Sequence, residues 1–529
     1  MWVANGSVPS QFKFRSQYPS LAFIADRHYD AIVVGGGVFG CTTAYLLKQE
    51  GLKVALIEAR TICSGVSSYS TAKLTAQHGA IYSPLIKRHG FETASNYYRM
   101  NMRGLTILEE IIAKHSLDCD HAKREHILWT SVPQNSSQIV DEFEICRSID
   151  IPCRMLEPRD LIQELPSTIE PVMGLAFESQ SMFNPYKYCQ EIVKLIQGDG
   201  SDVFENSRIS MINDQIPVRV TCQEHNCSIT ADKVVLATHI PIMDRSFHFA
   251  FLEPSKSHCV AVKIKKDDEG QDKPASKADT RGGNIHNMFI NVDKPLRSLR
   301  STLDGKYLVV AGEAIPQGDE TETQVHYDNL ISWASQHFNV EEVYSQWSAM
   351  DYYSPDIIPY IGYLYGGTDN IFTATGFSKW GLSTGIVAAE IITDTIQGRQ
   401  NPYVSMVNAR RWEMNQQISG YIHENVHVGK HFVKDKIVSL TTMKGLTSLK
   451  PDEGGLVRMG LRTVGAYRDP EGAYHVVNPI CSHLGCTLLF NSGDKLWDCP
   501  CHGSQFDVDG KVIHGPAVKP ITPLTDLEW

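Results

Sequence analysis

Two short boxes rich in cysteine and histidine near the C-terminus limit what this 529-residue chain can fold into. The first reads CSHLGC at 481–486 and the second reads CPCHGS at 499–504. Thiolates and imidazoles grouped on short loops are typical metal ligands, and both boxes supply the two types together. Gly485 and Gly503 allow tight turns that bring backbone N–H groups toward a bound metal centre. A zinc site would use such donors but would leave the second cysteine of each box unexplained, so the pattern favours an iron–sulfur cluster.

The two boxes resemble the ligand loops of the Rieske [2Fe–2S] family. The residues HGS…F…DG…GPA within 502–517 extend the resemblance beyond the boxes. In that family the first cysteine and the histidine of each box bind the cluster. The resemblance therefore implies two thiolate ligands, Cys481 and Cys499, and two imidazole ligands, His483 and His502. Neutral imidazoles in place of anionic thiolates make such a site less negative and raise its reduction potential.

Other positions in and after the boxes carry expectations from the same resemblance. Cys486 and Cys501 match a pair that forms a disulfide between the two loops in one branch of the family. Ser504 matches a hydroxyl that bonds to a cluster sulfide, and Phe506 stands where high-potential members have a tyrosine. We therefore expect one [2Fe–2S] cluster, a disulfide beside it, and a lower potential than a tyrosine at 506 would give.

A second motif, GGGVFG at 35–40, lies between a short apolar strand and a helical segment. Gly35 makes the turn, Gly37 lets the backbone approach a pyrophosphate, and Gly40 permits close packing of the helix on the strand. The positive N-terminal end of the helix then faces the phosphates. Glu58 ends the next strand about twenty residues on, where an acid bonds ribose hydroxyls. These features predict a dinucleotide site, although the motif alone does not separate FAD from NAD.

The segment 28–415 resembles the glycine oxidase and D-amino acid oxidase class of flavoproteins. The resemblance is carried by SGVSSYSTAKLTAQHG at 64–79, KVVLAT at 233–238, SPDIIPYIG at 354–362 and ATGFSKWGLSTG at 374–385. It implies FAD as the cofactor, with Gly376 and Gly381 among its binding residues. A helix beginning near Leu382 would then point its N-terminus at the flavin. Some relatives tether the flavin through a histidine where this chain has Tyr69, so we expect non-covalent FAD.

Together the motifs predict an α/β fold, in which a Rossmann-like FAD-binding domain with an inserted antiparallel-sheet substrate domain precedes a small all-β Rieske domain. We expect a leader at 1–27, the oxidoreductase at 28–415, a polar linker at 416–440 and the Rieske domain at 441–529. The nucleotide-binding parts are expected at about 28–90, 200–245 and 345–400, with the substrate domain between them. A polar stretch at 265–284 is expected to be a surface loop.

Three residues are candidates for the catalytic site, namely Lys379, Asp351 and His78. Lys379 follows the GFS turn that should lie beside the flavin. Asp351 stands where many amine-oxidising relatives have an arginine, so it predicts a cationic amine as the substrate in preference to a simple amino acid. His78 is a candidate for the cavity wall, where a structural role is equally expected. The same holds for Tyr352, Tyr353 and Trp380.

Asp118, His121 and His126 have the spacing D-x-x-H-x-x-x-x-H, which mimics the mononuclear iron site of Rieske oxygenases. In the oxygenases that triad follows the Rieske domain, whereas here it lies far before it. The surrounding sequence DCDHAKREH is highly charged, so we interpret it as a solvated turn between a helix and a strand. An oxygenase function is therefore disfavoured.

The charge and cysteine content narrow the partners and the compartment. The net charge of −11, from 60 acidic and 49 basic side chains, argues against nucleic acid as a partner. No apolar run reaches the roughly 18 residues needed to cross a bilayer, so we expect no transmembrane segment. Nine scattered cysteines outside the two boxes suit a reducing compartment and favour the cytoplasm. The first residues are poor in acids and include Lys13 and Arg15, which leaves an organellar matrix open.

Two functions fit these features. The first is a dehydrogenase that oxidises an amine-like small molecule at a C–N bond with FAD. It then passes electrons singly through the cluster to an external acceptor, either a protein or a quinone. The second is a redox-sensing or electron-carrier protein without substrate turnover. Reduction of the flavin by an amine under anaerobic conditions distinguishes the two.

Overall fold

The computed structural model describes residues 16–24, 26–243, 245, 247–265, 285–317, 322–411, 445–460 and 462–524. The predicted linker at 416–440 lies outside these residues, as does nearly all of the loop predicted at 265–284. The first part of the predicted leader also lies outside them. The later part packs on the nucleotide-binding domain, where the backbone N–H of Leu21 donates to Ser207 Oγ at 2.8 Å.

Among the described residues the α-helices lie before residue 412, and the C-terminal region is built from strands, turns and a short 3-10 helix at Leu446–Ser448. The strands are β1 His28–Val34, β2 Val54–Ile57, β3 Lys73–Leu74, β4 Ala122–Thr130, β5 Cys153–Leu156, β6 Met173–Met182, β7 Asp202–Phe204, β8 Met211–Asn213, β9 Val218–Cys222, β10 Cys227–Leu236, β11 Glu253–Ile264, β12 Met288–Asn291, β13 Arg297–Ser301, β14 Tyr307–Pro316, β15 Val340–Tyr353, β16 Tyr360–Tyr363, β17 Ile371–Thr375, β18 Glu453–Met459, β19 Arg462–Arg468, β20 Tyr474–Val477, β21 Leu489–Asn491, β22 Leu496–Asp498, β23 Gln505–Phe506 and β24 Val512–His514. The α-helices are α1 Val38–Gln49, α2 Tyr82–His115, α3 Ser136–Ser148, α4 Pro158–Leu161, α5 Pro185–Ile196, α6 His248–Phe251, α7 Gln324–His337, α8 Gly381–Ile396 and α9 Val404–Val407.

The first sheet forms the nucleotide-binding domain and has the order β16-β17-β10-β1-β2-β7. β1 pairs in parallel with β2 and β10, while β8 and β9 extend the sheet in antiparallel fashion beside β10. Ala31 and Val33 pack into one core with α1, whereas Ile32 and Val34 pack into a second core on the opposite face. Burial on both faces explains why the predicted strand reads as an unbroken apolar run.

The local predictions for this domain are confirmed. The predicted helix after GGGVFG is α1, which begins after Gly37 and ends before Gly51, whose φ of +85° stops it. The long helix α2 is kinked at Gly90, whose φ is +82°.

The second sheet forms the inserted domain and has the order β15-β11-β14-β13-β12-β4-β6-β3, with β5 beside β6. Its pairs are antiparallel, as predicted, except that β12 runs parallel to β4. The exception arises because β12 joins β4 through a long crossover and not through a hairpin. The C-terminal end of β15 meets the turn after β17, where Ser378 N donates to Tyr352 O at 3.1 Å, and Asp351 beside it lines both cavities described below.

The C-terminal region is all-β, as predicted, with a three-stranded sheet β18-β19-β20 and a four-stranded sheet β21-β22-β23-β24. A turn with the sequence DPEG at 469–472 joins β19 to β20 and contains a hydrogen bond from Gly472 N to Asp469 O at 3.0 Å. Trp497 and Phe506 are fully buried in the core of this domain. The box at 481–486 lies between β20 and β21, and the box at 499–504 lies between β22 and β23. Across the described ranges, no helix combines the length and apolar character that crossing a membrane requires.

Candidate functional site

The four predicted cluster ligands come together at the tip of the C-terminal domain. The thiols of Cys481 and Cys499 lie in contact, and the neighbouring Cys499 thiol lowers the pKa of Cys481 to about 7. The rings of His483 and His502 are 5.2 Å apart between centroids and nearly perpendicular, at 88°. Three of these side chains are buried, while His483 is half-buried.

The second cysteine of each box forms a disulfide, with the Sγ atoms of Cys486 and Cys501 2.13 Å apart. Both sulfurs lie within 4.8 Å of the Cys499 sulfur. Ser504 contacts the Cys481 thiol through its hydroxyl and accepts a hydrogen bond from Ala517 N at 3.2 Å. Two neighbouring thiols and two neighbouring imidazoles on these loops are the donor set of a Rieske-type [2Fe–2S] cluster, and the disulfide joins the two loops that would hold it.

The GGGVFG turn lines a cavity of about 210 Å³ at the carboxyl ends of the first sheet's parallel strands. Only glycine fits at two of its positions. A Cβ atom on Gly35 would lie 2.3 Å from the Ala237 carbonyl oxygen, and one on Gly40 would lie 1.8 Å from the Gly35 carbonyl oxygen. α1 begins after its N-cap Gly37, and Val38 N donates to Ser67 Oγ at 3.1 Å, so a phosphate would bond the other backbone N–H groups of the first turn. This cradle fits the pyrophosphate of a dinucleotide.

Glu58 lies at the end of β2 on the wall of the same cavity. Its Oε2 accepts a hydrogen bond from Gly36 N at 2.8 Å, and its Oε1 accepts one from Arg60 N at 2.9 Å. These bonds hold the carboxylate in place at the position predicted to bond ribose. Gly381 also lines the cavity, at the first residue of α8. Gly376 is not among the cavity-lining residues and packs against Leu252, Ser354 and Tyr360 with a φ of +72°.

A larger cavity of about 560 Å³ adjoins the first one. Asp351 and Lys379 line both cavities, so these side chains stand at the boundary between them. The remaining candidates line the larger cavity, namely Tyr69, His78, Tyr353 and Trp380. The sequence-predicted catalytic residues therefore share one site, although Tyr352 is fully buried behind it.

Lys379 carries the titratable group best placed for proton transfer. Its Nζ donates to Ser257 Oγ at 2.5 Å and lies 5.4 Å from the centre of the Tyr353 ring. Burial lowers the pKa of Lys379 to about 8, because the charged ammonium is poorly solvated there. Near neutral pH a minor fraction of the Lys379 side chains is therefore neutral, and a neutral amine can accept a proton.

Both oxygens of Asp351 are occupied by donors from the protein. Oδ1 accepts from His239 Nε2 and from Tyr352 N, each at 2.7 Å, and Oδ2 accepts from Lys379 N at 2.6 Å. The carboxylate therefore holds the Lys379 backbone, whose φ is +74°, against the end of β15. The role of Asp351 as a direct contact for a cationic substrate stays a prediction.

His78 is held by hydrogen bonds at both ring nitrogens. Its Nε2 donates to Thr75 O at 2.8 Å, so its Nδ1 accepts from the Tyr97 hydroxyl at 2.7 Å. Burial lowers the pKa of His78 to about 3, and the ring stacks on Trp380 with centroids 4.6 Å apart. This neutral, fully bonded imidazole fixes the indole in the cavity wall, and its catalytic role stays a prediction.

Lys73 was missed by the sequence analysis and also lines the larger cavity. Its ammonium donates to Phe289 O at 2.6 Å and to Ser298 Oγ at 2.7 Å. Burial lowers the pKa of Lys73, and the nearby Arg300 guanidinium lowers it further. The signal was a lysine between small and apolar residues at 72–76, which is unusual for a solvated side chain.

The contacts that join the two predicted sites were also missed. The Tyr352 hydroxyl donates to the backbone carbonyl of His502 at 3.3 Å. His239 Nδ1 lies 3.3 Å from His514 Nε2. The Phe249 ring lies 5.1 Å and 5.0 Å from the rings of His483 and His502, respectively. Such contacts depend on the packing of two domains that are remote in sequence, which no local pattern reveals.

The Asp118, His121 and His126 segment does not converge on one point. The Asp118 side chain is 85% exposed beside Lys187, as expected for a solvated turn. His126 instead lies fully buried in β4, where its Nδ1 is 3.2 Å from Thr75 Oγ1. The interpretation of the whole segment as solvated is therefore wrong for His126, because β4 carries that side chain into the core.

A dinucleotide cavity, an adjoining cavity with titratable walls and a Cys₂His₂ tip with a disulfide define a flavin-dependent oxidoreductase with an iron–sulfur domain. Comparisons with known proteins agree. The chain belongs to the FAD dependent oxidoreductase (DAO) family, whose model matches residues 30–395, and it carries a Rieske [2Fe-2S] domain at residues 444–525. FAD and one [2Fe–2S] cluster are therefore its cofactors, and the combination indicates electron transfer.

Relatives share both the whole chain and the fold of its larger part. YhfW of Bacillus subtilis (strain 168), named as a Rieske 2Fe-2S iron-sulfur protein, is 31% identical over 532 residues, covering 100% of this chain and 97% of YhfW. Glycine oxidase from Geobacillus kaustophilus superposes with a TM-score of 0.59 at 16% identity, covering 73% of this chain and 99% of the oxidase. L-proline dehydrogenase from P. horikoshii superposes with a TM-score of 0.60 at 17% identity, covering 74% and 99%.

Proposed function

We propose that this protein is a dehydrogenase that oxidises an amine-like small molecule at a C–N bond. Electrons would leave singly through the cluster to an external acceptor, either a protein or a quinone. When bound, FAD supplies two-electron hydride chemistry and the Rieske cluster supplies one-electron transfer. The chain's own residues bind the substrate, manage its proton and hold the two sites together.

The observation that carries the proposal is the position of two consecutive residues, Asp351 and Tyr352. Asp351 lines both the dinucleotide cavity and the larger cavity. Tyr352 follows it directly and donates a hydrogen bond to the carbonyl of the predicted ligand His502. Substrate-side cavity, dinucleotide cavity and cluster loop thus meet within one short segment of β15, which supports a relay inside one molecule.

The larger cavity favours substrate turnover over a pure electron carrier. Its volume of about 560 Å³ falls within the range of small-molecule sites, and its wall combines aromatic side chains with a few polar groups. Electron transfer alone does not require a cavity of this size beside the flavin. The Nζ atom of Lys379, held by Ser257, is placed to take a proton from a substrate ammonium group. The fold relatives named for glycine and L-proline support a nitrogen-bearing substrate.

Two further features of the proposal rest on side chains. Tyr69 occupies the position of a covalent tether in some relatives, so FAD is proposed to be non-covalent and released intact by acid precipitation. The nine cysteines outside the C-terminal domain are free thiols. Free thiols suit a reducing compartment, and we propose the cytoplasm.

The test is an anaerobic screen of small amines and amino acids against the oxidised holoenzyme, followed by the loss of flavin absorbance. We expect at least one amine to bleach the flavin within a single turnover, and Lys379→Met to slow that bleaching. Lys233→Met, which removes a half-buried lysine of β10 that lines neither cavity, serves as the matched control. If no amine bleaches the flavin while dithionite does, the redox-sensing or carrier function replaces this proposal.

A further inference from the structure

We propose that the C-terminal domain forms one wall of the FAD site, so that FAD binding and docking of the cluster domain stabilise each other. This goes beyond the proposed reaction, because it depends on the two cofactors of the family and not on the substrate. It assigns residues 513–518, which follow the second cluster box, to the binding of FAD.

The wall is visible in the lining of the dinucleotide cavity. One side is the glycine turn of the nucleotide domain, and the other consists of C-terminal residues, namely Ile513, His514, Gly515, Ala517 and Val518. A Rossmann-type site usually opens to solvent or to its own substrate domain at this edge. Here a separate domain closes it, so a dinucleotide in the cavity touches both domains at once.

The wall segment is fastened to the loop that carries the cluster ligands. Ala517 N donates to Ser504 Oγ at 3.2 Å. A Cβ atom on Gly515 would lie 2.4 Å from Ser504 Cα, so the two backbones touch there. Ser504 is two residues from the predicted ligand His502 and contacts the Cys481 thiol. Order in the cluster loops is therefore transmitted to the FAD wall through direct contact.

The docked position is held by a buried ion cluster between the two domains. Lys256 on β11, whose side chain is 2% exposed, donates to Asp498 Oδ2 at 2.5 Å and lies 3.3 Å from Asp494 Oδ2. Asp494 also accepts hydrogen bonds from the hydroxyls of Tyr327 and Ser348, each at 2.6 Å. Removing the cation would leave buried carboxylates uncompensated, which strongly penalises the docked state.

Three smaller contacts complete the boundary beside the cavity. The Arg208 guanidinium donates to Val512 O at 2.8 Å, and His239 contacts His514. A Cβ atom on Gly503 would lie 2.9 Å from the Tyr352 hydroxyl, so the cluster loop sits directly on β15. The interface thus runs from the ion cluster at one end, past the cluster loop at Gly503, to the FAD cavity at the other end.

The thermodynamic consequence is reciprocal. If FAD gains contacts only in the docked state, docking raises FAD affinity, and FAD raises the stability of docking by the same factor. A variant that weakens docking should therefore release FAD although no residue of the cavity wall has changed. Removal of FAD should likewise expose the cluster.

The first experiment uses full-length Lys256→Met, since Lys256 lines neither cavity. FAD is removed from wild type and variant, and its dissociation constant is measured by fluorescence titration, with iron content followed in parallel. We expect the dissociation constant to rise roughly tenfold or more, because the docked state loses a buried ion cluster. The matched control is Lys263→Met on the same strand, where the side chain is 38% exposed and pairs with Glu341.

The second experiment tests the reverse direction and does not depend on the folding of a variant. Wild-type holoenzyme and deflavinated wild type are exposed to an iron chelator, and loss of the cluster absorbance is timed. Faster loss without FAD supports the coupling. Equal rates, or a Lys256→Met protein that is undocked by small-angle scattering yet binds FAD as tightly as wild type, overturn it. Neither readout uses a substrate, so failure of the proposed reaction leaves both results interpretable.

Discussion

The Nδ1 atom of His239 and the Nε2 atom of His514 lie 3.3 Å apart across the boundary between the nucleotide domain and the cluster domain. His239 also donates from Nε2 to Asp351 Oδ1 at 2.7 Å. This short chain of hydrogen bonds links a residue of the cluster domain to the carboxylate that positions Lys379. A substitution in the cluster domain, at Asp351 or at Lys379 should therefore alter the properties of the other two.

The metal content is the first prediction. The purified protein should contain two irons and two acid-labile sulfides per chain, since two thiols and two imidazoles can hold one [2Fe–2S] cluster. Reduction should give an EPR signal with an average g below two. Cys481→Ser should lose most of the iron, whereas Cys259→Ser, a buried thiol away from the boxes, should keep it. Stoichiometric zinc without iron would contradict the assignment.

The second prediction concerns the cluster potential. Phe506 is fully buried in β23, in the same core as Cys481 and Cys499, and it has no hydroxyl to offer the cluster. Phe506→Tyr should add a hydrogen bond that favours the reduced, more negative centre, and so should raise the potential. Protein-film voltammetry measures the shift. Phe506→Leu controls for altered packing, and a lowered or unchanged value for the tyrosine variant would count against this placement.

The third prediction concerns Asp351→Asn. The amide keeps one acceptor oxygen but replaces the other with a donor, which faces either His239 Nε2–H or Lys379 N–H. One unmade buried hydrogen bond costs about 1–3 kcal/mol, so flavin reduction by the substrate should slow by roughly tenfold or more. Stopped-flow traces at several substrate concentrations separate KM from kcat. Asp369→Asn, at a side chain that is 79% exposed, should change nothing.

A silent Asp351→Asn would contradict this prediction. If, in addition, a small neutral or anionic substrate is turned over well, the preference for a cationic amine also fails. A loss that appears in KM alone would favour direct substrate contact. A loss in kcat would favour the positioning of Lys379.

Local chemistry explains why so much of the fold was predictable. The backbone crowding at Gly35 and Gly40 admits only glycine, so the spacing of these glycines predicts the dinucleotide turn. The same holds for Cys481 and His483, because ligand type and spacing define a metal loop before it folds. The antiparallel character of the second sheet was implied by the resemblance to the glycine oxidase and D-amino acid oxidase class. The parallel pairing of β12 with β4 was not predicted, because a crossover leaves no local trace.

The wall residues were less predictable because their roles arise from packing between distant segments. His514 is an ordinary residue of a short strand until β24 meets His239. Lys256 reads as a surface lysine in an alternating strand, yet it is buried against Asp494 and Asp498. Gly376 stays a predicted cofactor-binding residue, although it is not among the residues that line the cavity, because the motif gives the turn and not its depth.

The fourth prediction concerns pH. Burial lowers the pKa of Lys379 to about 8, so the neutral form of Nζ, which can accept a proton, increases as the pH rises through about 8. The rate of flavin reduction by the substrate should therefore rise with pH in this range. Lys379→Met and Lys379→Arg should both lower the rate and abolish its increase with pH, since neither provides a neutral amine. If the rate still increases with pH in either variant, the titration belongs to another group or to the substrate.

The fifth prediction tests the relay with His502→Ala. The hydride step needs only the N-terminal domain, so the substrate should still bleach the flavin in a single turnover. Steady turnover with a one-electron acceptor should collapse, because the exit through the cluster is lost. Saturating FAD is required throughout, since loss of the cluster is expected to loosen the FAD wall. His475→Ala, at a half-buried histidine on β20 away from the boxes, is the control.

The decisive quantity is the ratio of single-turnover to steady-state rates. Equal ratios in wild type and a cluster-free variant would place the cluster off the path and make the Rieske domain regulatory.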